Sequence, residues 1–311
     1  MTPVHIIVAA GCVRHRTPEG HPESPARLAA AIAGARRVAG IREEAALPAT
    51  PEQLLRVHDR DYLQQVETLS AALSEDDAPG ALDPDTFLGP GSREAALLAT
   101  GATVQAVLRS VEHHGPAMAL GRPPGHHADA RHAQGFCIYN AIAVAASHAL
   151  TLPGIRRVAI CDFDVHHGNG TEALVAGREE VLFLSSHQFP LYPGTGDPSR
   201  PSAGNVVNVG LPPGSGSDEF RLAWRDRLLP RLQAFRPDLL LVSAGFDAHW
   251  LDPLAGLRLK EEDYFWIGCE LTRAAAWSCD GRLAATLEGG YHLDALRDSV
   301  QAFVEGLAAG R

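Results

Sequence analysis

Lysine is nearly absent from this 311-residue sequence, since Lys260 is the only one and arginine supplies the other basic side chains. Acidic residues outnumber basic ones, and the formal net charge is −10. Surfaces that bind nucleic acid are usually basic, so we expect no nucleic-acid partner. The charge favours a cationic substrate or partner through long-range attraction.

Cysteine motifs and long apolar runs are also missing. The five cysteines are scattered and include no Cys-x-x-Cys pair, which argues against a disulfide framework or a thiolate zinc site and favours a reducing cytoplasm. No run approaches the roughly 18 apolar residues of a membrane-spanning helix. The apolar stretch over residues 1–10 has no cationic flank and predicts a first β-strand rather than a signal peptide. We expect a cytoplasmic protein with no membrane partner, and the sequence is compatible with a homo-oligomer.

Short apolar runs alternate with amphipathic stretches along the chain. Strands are predicted at 117–120, 157–161, 181–185, 205–209, 239–243 and 283–287. Helices are predicted at 51–73, 92–112, 140–150, 170–176 and 261–276. The Pro/Gly/Asp-rich stretch 74–91 lies between two of these helices and predicts a surface loop inside a domain. The alternation indicates an α/β fold, with a mostly parallel sheet covered by helices on both faces.

Four clusters of polar residues follow predicted strands. They are Gly121–His127, Asp162–Asn169, Phe246–Asp247 and Glu288–Tyr291. Open parallel sheets place their binding sites outside the carboxyl ends of the strands. The pattern therefore predicts one site built from four separate segments.

The strongest local signal is the Asp-Phe-Asp-Val-His stretch over 162–166. Side chains alternate faces in an extended chain, so Asp162, Asp164 and His166 should point the same way. With Asp247 as the second carboxylate beside Asp164, two negative charges would balance the charge of a divalent ion, and His166 would add a neutral imidazole. Three protein ligands would leave one coordination position open, as in catalytic zinc sites. An isolated Asp-x-His is more often a solvated loop, and Asp247 by itself could be a helix N-cap.

Two further motifs suit acid–base chemistry and oxyanion binding. His126 and His127 are adjacent on a Pro/Gly loop, and imidazole titrates near neutrality, although such a pair alone is weak evidence. The two glycines before Tyr291 allow a sharp turn that could aim its phenol into the site as an oxyanion donor.

Together and in this order, the motifs resemble those of the zinc-dependent histone deacetylase family, which has the arginase–deacetylase fold and includes bacterial acetylpolyamine amidohydrolases. The resemblance extends over nearly the whole chain, through 21–28, 82–87, 122–128, 135–140, 162–171, 192–197, 243–249 and 287–291. The sequence of residues 164–171 is most similar to that of the class II branch. The resemblance implies a single domain, 1–311, with a central sheet of about eight strands.

The resemblance also implies the parts of the reacting centre. The zinc ligands would be Asp164, His166 and Asp247. His127 would act as general base and acid, while the neighbouring His126 would act mainly through its charge. Tyr291 would hydrogen-bond the scissile carbonyl oxygen.

Two residues would support the histidines. Asp162 matches the position that supports His126, and Asn169 matches the position that faces His127. Some branches of the family carry Asp where this chain has Asn169. A neutral amide stabilises an imidazolium less than a carboxylate does, so we predict a lower pKa for His127 here than in an Asp-bearing enzyme.

The family resemblance also implies roles for residues around the reacting centre. Residues that match the wall of an acyl-lysine tunnel are Gly135, Phe136 and Tyr192. Arg27 matches an arginine beside an internal channel for acetate release. A structural potassium ion is implied near Asp162, Asp164, His166, Ser185 and Ser186.

The resemblance bears on the substrate through Leu254. Polyamine-selective relatives carry a glutamate there that binds a second cationic amine, which favours acyl-lysine in proteins or peptides, or another N-acyl amine, over acetylpolyamines for this chain. Other carboxylates that could line the rim are Glu19, Glu23 and Asp85.

Two other functions stay open from the sequence. A dimanganese amidinohydrolase of the same fold would need further carboxylates, where this chain has Gly168, Ala248 and His249. A non-catalytic acyl-lysine binding protein could keep the fold, although the complete set of ligands, histidines and Tyr291 argues against it.

Overall fold

A parallel β-sheet forms the centre of the structure, a computed structural model that describes residues 3–200 and 202–310. Its strands are β1 (His5–Val8), β2 (Arg42–Ala45), β5 (Pro116–Leu120), β6 (Val158–Asp162), β7 (Val181–Gln188), β8 (Val206–Leu211), β9 (Leu239–Ala244) and β10 (Leu283–Leu287). The order across the sheet is β2-β1-β5-β10-β9-β6-β7-β8, and all neighbours pair in parallel. A separate antiparallel pair, β3 (Gly80–Ala81) and β4 (Phe87–Leu88), lies within the predicted loop 74–91.

Helices connect the strands. They are α1 (Pro25–Ala35), α2 (Pro51–Leu54), α3 (Arg60–Ala71), α4 (Ser92–His113), α5 (Ala141–Ala149), α6 (Asn169–Val175), α7 (Ser217–Ala223), α8 (Leu229–Phe235), α9 (Glu261–Ser278) and α10 (Leu293–Ala309). Every residue of β5, β6, β9 and β10 is buried, so both faces of the central sheet are covered, as parallel sheets require. Within the residues that the structure describes, no helix has the length and apolar composition to cross a membrane.

The predicted fold class is confirmed: the chain forms a single α/β domain around an eight-stranded parallel sheet. The strand β2 escaped prediction because it is a mostly exposed edge strand of sequence Arg-Glu-Glu-Ala, without an apolar pattern. The helix predicted over 51–73 is wrong as one element, since the chain breaks between α2 and α3. At the break the backbone N–H of Asp59 donates to the Ala130 carbonyl, 2.8 Å away, instead of continuing a helix.

The sheet order explains why the four polar clusters meet. They follow β5, β6, β9 and β10, which are four adjacent strands at the middle of the sheet. Since all four strands run the same way, their carboxyl ends open on one edge. Residues far apart in the sequence are thereby brought into one buried site.

Candidate active site

Asp164, His166 and Asp247 come together just beyond the ends of β6 and β9. One potential ligand atom from each lies within 4.8 Å of the other two. The Nδ1 atom of His166 is 3.2 Å from Oδ1 of Asp164 and 3.1 Å from Oδ2 of Asp247. All three side chains are buried. The arrangement is an Asp-His-Asp metal site.

The electrostatics of this site favour a bound cation. Burial, followed by the charge of Asp164, raises the pKa of Asp247. Burial alone would lower the pKa of His166, but its hydrogen bonds with Asp164 and Asp247 raise it to about 10. Buried carboxylates are costly without a positive partner, so the site attracts either a proton on His166 or a cation. The donor set of two carboxylates and an imidazole fits zinc.

Glycines allow the backbone to approach the carboxylates closely. A Cβ atom on Gly289 would overlap the Asp247 carboxylate and would lie 2.7 Å from Oδ2 of Asp164. A Cβ atom on Gly245 would likewise overlap Asp164. The N–H of Gly289 instead donates to Oδ2 of Asp164 over 2.8 Å. Any larger residue at either position would displace a metal ligand.

His126 is held on the side of the site that faces β6. Its Nδ1 atom is 3.0 Å from Oδ2 of Asp162, and its ring lies 4.1 Å from that of His127. Burial lowers the pKa of His126, but the charges of Asp164 and Asp162 raise it to about 10. The two carboxylates therefore favour the protonated form of this imidazole, which would place a positive charge beside the metal site.

His127 has the opposite character. Burial and the charges of His126 and His166 keep its pKa well below its ordinary value. Its Nδ1 atom is 2.8 Å from Oδ1 of Asn169, which makes Nδ1 the donor and leaves Nε2 as the free acceptor of a neutral ring. Such an imidazole is suited to accept a proton.

Comparison with known proteins assigns this arrangement to a family. Residues 21–307 match the profile of the histone deacetylase domain. The chain belongs to the histone deacetylase family. As a member, it is an amidohydrolase with a metal site formed by Asp164, His166 and Asp247.

Relatives of known sequence and structure agree with this assignment. A histone deacetylase-like amidohydrolase of Pseudomonas aeruginosa is 39% identical over 292 residues, or 90% of this chain and 75% of the relative. The polyamine deacetylase HDAC10 of Mus musculus is 37% identical over 314 residues, covering 93% of this chain and 45% of the relative. The crystal structure of the HDA15 HD domain superimposes with a TM-score of 0.87 at 32% identity, covering 98% of this chain and 91% of that chain.

Tyr291 lies in this histone deacetylase site after the two glycines that follow β10. The guanidinium of Arg27 lies over one face of its ring, 4.7 Å from the centroid, and the ring of Phe136 meets it edge-on at 5.7 Å. Burial raises the pKa of Tyr291 well above its ordinary value. Its hydroxyl therefore keeps its proton and can act as a hydrogen-bond donor.

The residues that resemblance assigns to a tunnel wall surround His127 and Tyr291. The Tyr192 ring meets the His127 ring edge-on at 5.2 Å, and Phe136 is next to Gly135. Gly135 has a φ of +57°, and a Cβ atom there would overlap the His127 ring. Leu254 is half-buried, and its N–H donates to Oδ1 of Asp252 over 3.0 Å.

Arg27 belongs to a buried cluster that includes Glu23 and Arg122. Oε1 of Glu23 lies 2.9 Å from Nη1 of Arg27 and 2.9 Å from Nε of Arg122, and none of the three side chains is exposed. The expectation that Glu23 lines the rim is wrong, because its carboxylate is enclosed by two guanidinium groups. Glu19 is exposed and Asp85 is half-buried, with Oδ1 of Asp85 accepting the Gly135 N–H over 3.2 Å.

The residues named for a potassium ion lie beside the metal site. Ser185 is paired with Asp162 in the register of β6 and β7. The Ser185 hydroxyl is 2.9 Å from Nδ1 of His187, and the Ser186 hydroxyl accepts the indole N–H of Trp224 over 3.0 Å. Oδ1 of Asp162 accepts the N–H of Asp164 over 3.1 Å.

Two carboxylates of the site were not singled out from the sequence. Oε2 of Glu288 accepts the N–H groups of Gly125 and His126 over 2.6 and 3.2 Å, and so holds the histidine loop. In a similar way, Oδ2 of Asp252 accepts the N–H of Tyr291 over 2.7 Å. In the sequence, Glu288 stood out only as the first residue of the cluster Glu288–Tyr291, and Asp252 did not stand out, because the partners of both carboxylates are backbone groups of other loops.

Proposed function

We propose that this protein is a zinc-dependent deacylase that hydrolyses an N-acyl amide, with acyl-lysine in proteins or peptides as the leading substrate. The observation that carries the proposal is the position of His127 beside the Asp-His-Asp site: its ring lies 5.9 Å from that of His166, and its Nδ1 atom is bound to Asn169. When bound, zinc would polarise the amide carbonyl and lower the pKa of a bound water. The remaining chemistry belongs to side chains of the chain itself.

His127 accepts the proton of the attacking water at Nε2 and passes it to the leaving amine. Tyr291 donates its phenolic hydrogen to the oxygen that becomes negative in the transition state. The protonated His126, held by Asp162, adds positive charge next to the same oxygen. Preorganised donors of this kind supply a large part of the rate enhancement in acyl transfer.

Two further assignments accompany the proposal. A potassium ion would bind near Asp162, Asp164, His166, Ser185 and Ser186 and neutralise part of the buried negative charge. Arg27 would lie beside a route by which acetate leaves the interior. The buried guanidinium of Arg27 supports this assignment, because its positive charge would attract a carboxylate product.

The substrate class rests on the tunnel wall and on Leu254. Phe136 and Tyr192 offer aromatic faces suited to the aliphatic stem of an acyl-lysine, and Leu254 offers no carboxylate for a second ammonium group. Acetylpolyamines are the second candidate, because HDAC10 is named a polyamine deacetylase and the net charge of −10 attracts polycations.

The dimanganese alternative fits less well. A Cβ atom on Gly168 would overlap the Asp162 carboxylate, which leaves no room for the extra ligand that this alternative requires there. Among the described residues, 3–200 and 202–310, Asp164, His166 and Asp247 form the one group of three or more potential metal ligands that lie close together.

The test is turnover of acetyl-lysine peptides, longer acyl-lysine peptides and acetylpolyamines in parallel, with metal analysis of the same sample. We expect one zinc per chain, the highest kcat/KM on an acyl-lysine peptide, and inhibition by a hydroxamate. Two manganese ions per chain would contradict the deacylase assignment. Zinc binding without turnover on any of these amides would indicate a binding protein.

A further inference from the structure

Asp252 is a buried carboxylate that the proposed mechanism does not use. It lies five residues after the ligand Asp247, and only 8% of its surface is exposed. Its Oδ2 atom accepts the backbone N–H of Tyr291 over 2.7 Å, and its Oδ1 atom accepts the N–H of Leu254 over 3.0 Å. One side chain thus joins the loop after β9 to the loop that carries Tyr291.

A charged carboxylate is energetically costly at this buried position. Burial, and then the charge of Asp247, raises the pKa of Asp252 to about 7. An amide of the same size would be cheaper to bury, but it has one acceptor oxygen and one donor NH₂ group. Because the two N–H groups are bound by different oxygens of Asp252, an amide would satisfy one of them and oppose the other.

The loop that carries Tyr291 needs such an anchor. Gly289 and Gly290 precede the tyrosine, and Gly290 has a φ of +123°, which only glycine adopts readily. Arg27 fixes the start of the loop by donating to the carbonyl oxygens of Glu288 and Gly290, over 2.6 and 2.5 Å. The N–H of Tyr291 itself is bound by Asp252.

We infer that Asp252 is a positioning residue for Tyr291: it fixes the backbone from which the phenol reaches the scissile carbonyl. The same carboxylate fixes Leu254, so it also joins the oxyanion donor to a residue of the substrate rim. The inference rests on the proposed role of Tyr291 as oxyanion donor. A displacement of about 1 Å in a reacting group can cost on the order of 10²-fold in rate, so loss of this anchor should be measurable.

The test is a double-mutant cycle in the zinc-loaded enzyme with Asp252→Asn, Tyr291→Phe and the double variant, on an acetyl-lysine peptide. We expect Asp252→Asn to lower kcat at least roughly tenfold while KM changes less than about threefold, since the anchor acts on the transition state. In the Tyr291→Phe background the same substitution should change kcat less than about threefold, because the group being positioned is already gone.

A second substrate separates positioning from general damage. A trifluoroacetyl-lysine peptide stabilises its own oxyanion through the electron-withdrawing fluorines, so it depends less on the phenol. The loss caused by Asp252→Asn should therefore be smaller on trifluoroacetyl-lysine than on acetyl-lysine. A purely structural defect would lower both rates by the same factor.

Asp238→Asn is the matched control. Oδ2 of Asp238 accepts the N–H groups of Arg156 and Arg157, each over 2.8 Å, at the opposite end of the sheet. We expect this variant to keep the kcat of the wild type. If Asp252→Asn does not fold, Asp252→Ser, whose hydroxyl can accept from only one of the two N–H groups, is carried through the same cycle.

The outcomes are distinct. Wild-type kcat in Asp252→Asn, or the same loss of kcat with and without the Tyr291 hydroxyl, would overturn the inference. Wild-type kcat in Tyr291→Phe would instead show that the proposed role of Tyr291 is wrong, whatever Asp252 does.

Discussion

Two buried clusters of charge contact the segment Glu288–Tyr291, and in only one of them do the side chains of the cluster supply enough positive charge to match the carboxylates. The metal cluster consists of Asp164, His166 and Asp247, and it contacts the segment through Gly289. The arginine cluster consists of Glu23, Arg27 and Arg122, and it contacts the segment through Arg27. The acidic residues of both clusters are at most 1% exposed to solvent.

The pKa values of the carboxylates show the difference. Burial raises the pKa of Glu23, but the hydrogen bond from His15 and the charges of Arg122 and Arg27 bring it well below its ordinary value. In the metal cluster, burial and then the charge of Asp164 raise the pKa of Asp247. Burial also acts to raise the pKa of Asp164, but the charge of His126 and the hydrogen bond with His166 lower it. A buried carboxylate therefore indicates a ligand only where the chain supplies too few positive charges to match it.

The largest expected effect comes from removing a charge from the metal cluster. We expect Asp247→Asn to lose bound zinc and all measurable turnover. In the metal-free state the same substitution should raise Tm by a few degrees over EDTA-treated wild type, because it removes a buried negative charge and its repulsion with Asp164. Metal analysis and thermal unfolding of both proteins check this. Retained zinc, or a lower Tm than the EDTA-treated wild type, would contradict the conclusion that the metal cluster lacks positive charge of its own.

The corresponding change in the arginine cluster should act on stability. Glu23→Gln leaves two buried guanidinium groups without their carboxylate, which costs about 3–5 kcal/mol in the free energy of unfolding. Since the pKa of Glu23 is lowered on folding, this contribution is present above pH of about 4.3 and is lost as pH falls further toward the folded-state pKa.

Glu75→Gln is the control for that measurement. Glu75 also pairs with two arginines, Arg14 and Arg16, but it is 68% exposed. Exposed pairs contribute about 0–1 kcal/mol, so denaturant unfolding should show a much smaller loss. Equal losses in the two variants would mean that burial does not distinguish the clusters.

The same comparison explains what could be predicted from the sequence. The spacing of Asp164 and His166 is local, whereas Asp247 was assigned through its place after a predicted strand together with the resemblance to the family. The central strands were predictable because continuous apolar runs of five or six residues have few other places in an α/β fold.

The arginine cluster and Asp252 carry no comparable local signal. Arg27 donates to carbonyl oxygens 261 and 263 residues away, and any residue type could supply those carbonyls. Glu23 was therefore assigned to the rim on its charge alone, and Asp252 was not singled out. Backbone partners leave no pattern in the side chains, so these contacts required the structure.

Adding a charge next to the metal cluster should have a moderate effect. Asn169→Asp places a carboxylate about as close to Nδ1 of His127 as the present amide oxygen, which is 2.8 Å away, and should raise the pKa of that imidazole. Because His127 acts in its neutral form, the acid limb of the kcat/KM profile should move to higher pH. Gln64→Glu on the exposed face of α3 controls for net charge. An unmoved acid limb in Asn169→Asp would show that Asn169 does not set the pKa of His127.

The smallest expected effect comes from a charge at the rim, away from both clusters. Leu254→Glu supplies the carboxylate that the present rim lacks, so kcat/KM for an acetylpolyamine should rise several-fold relative to an acetyl-lysine peptide. Solvent screening keeps this change modest compared with the loss of a buried charge. Leu222→Glu on α7 adds the same charge at an exposed position and should leave the ratio unchanged. If both variants change the ratio equally, the attraction comes from the overall negative charge, and Leu254 is not a determinant of substrate choice.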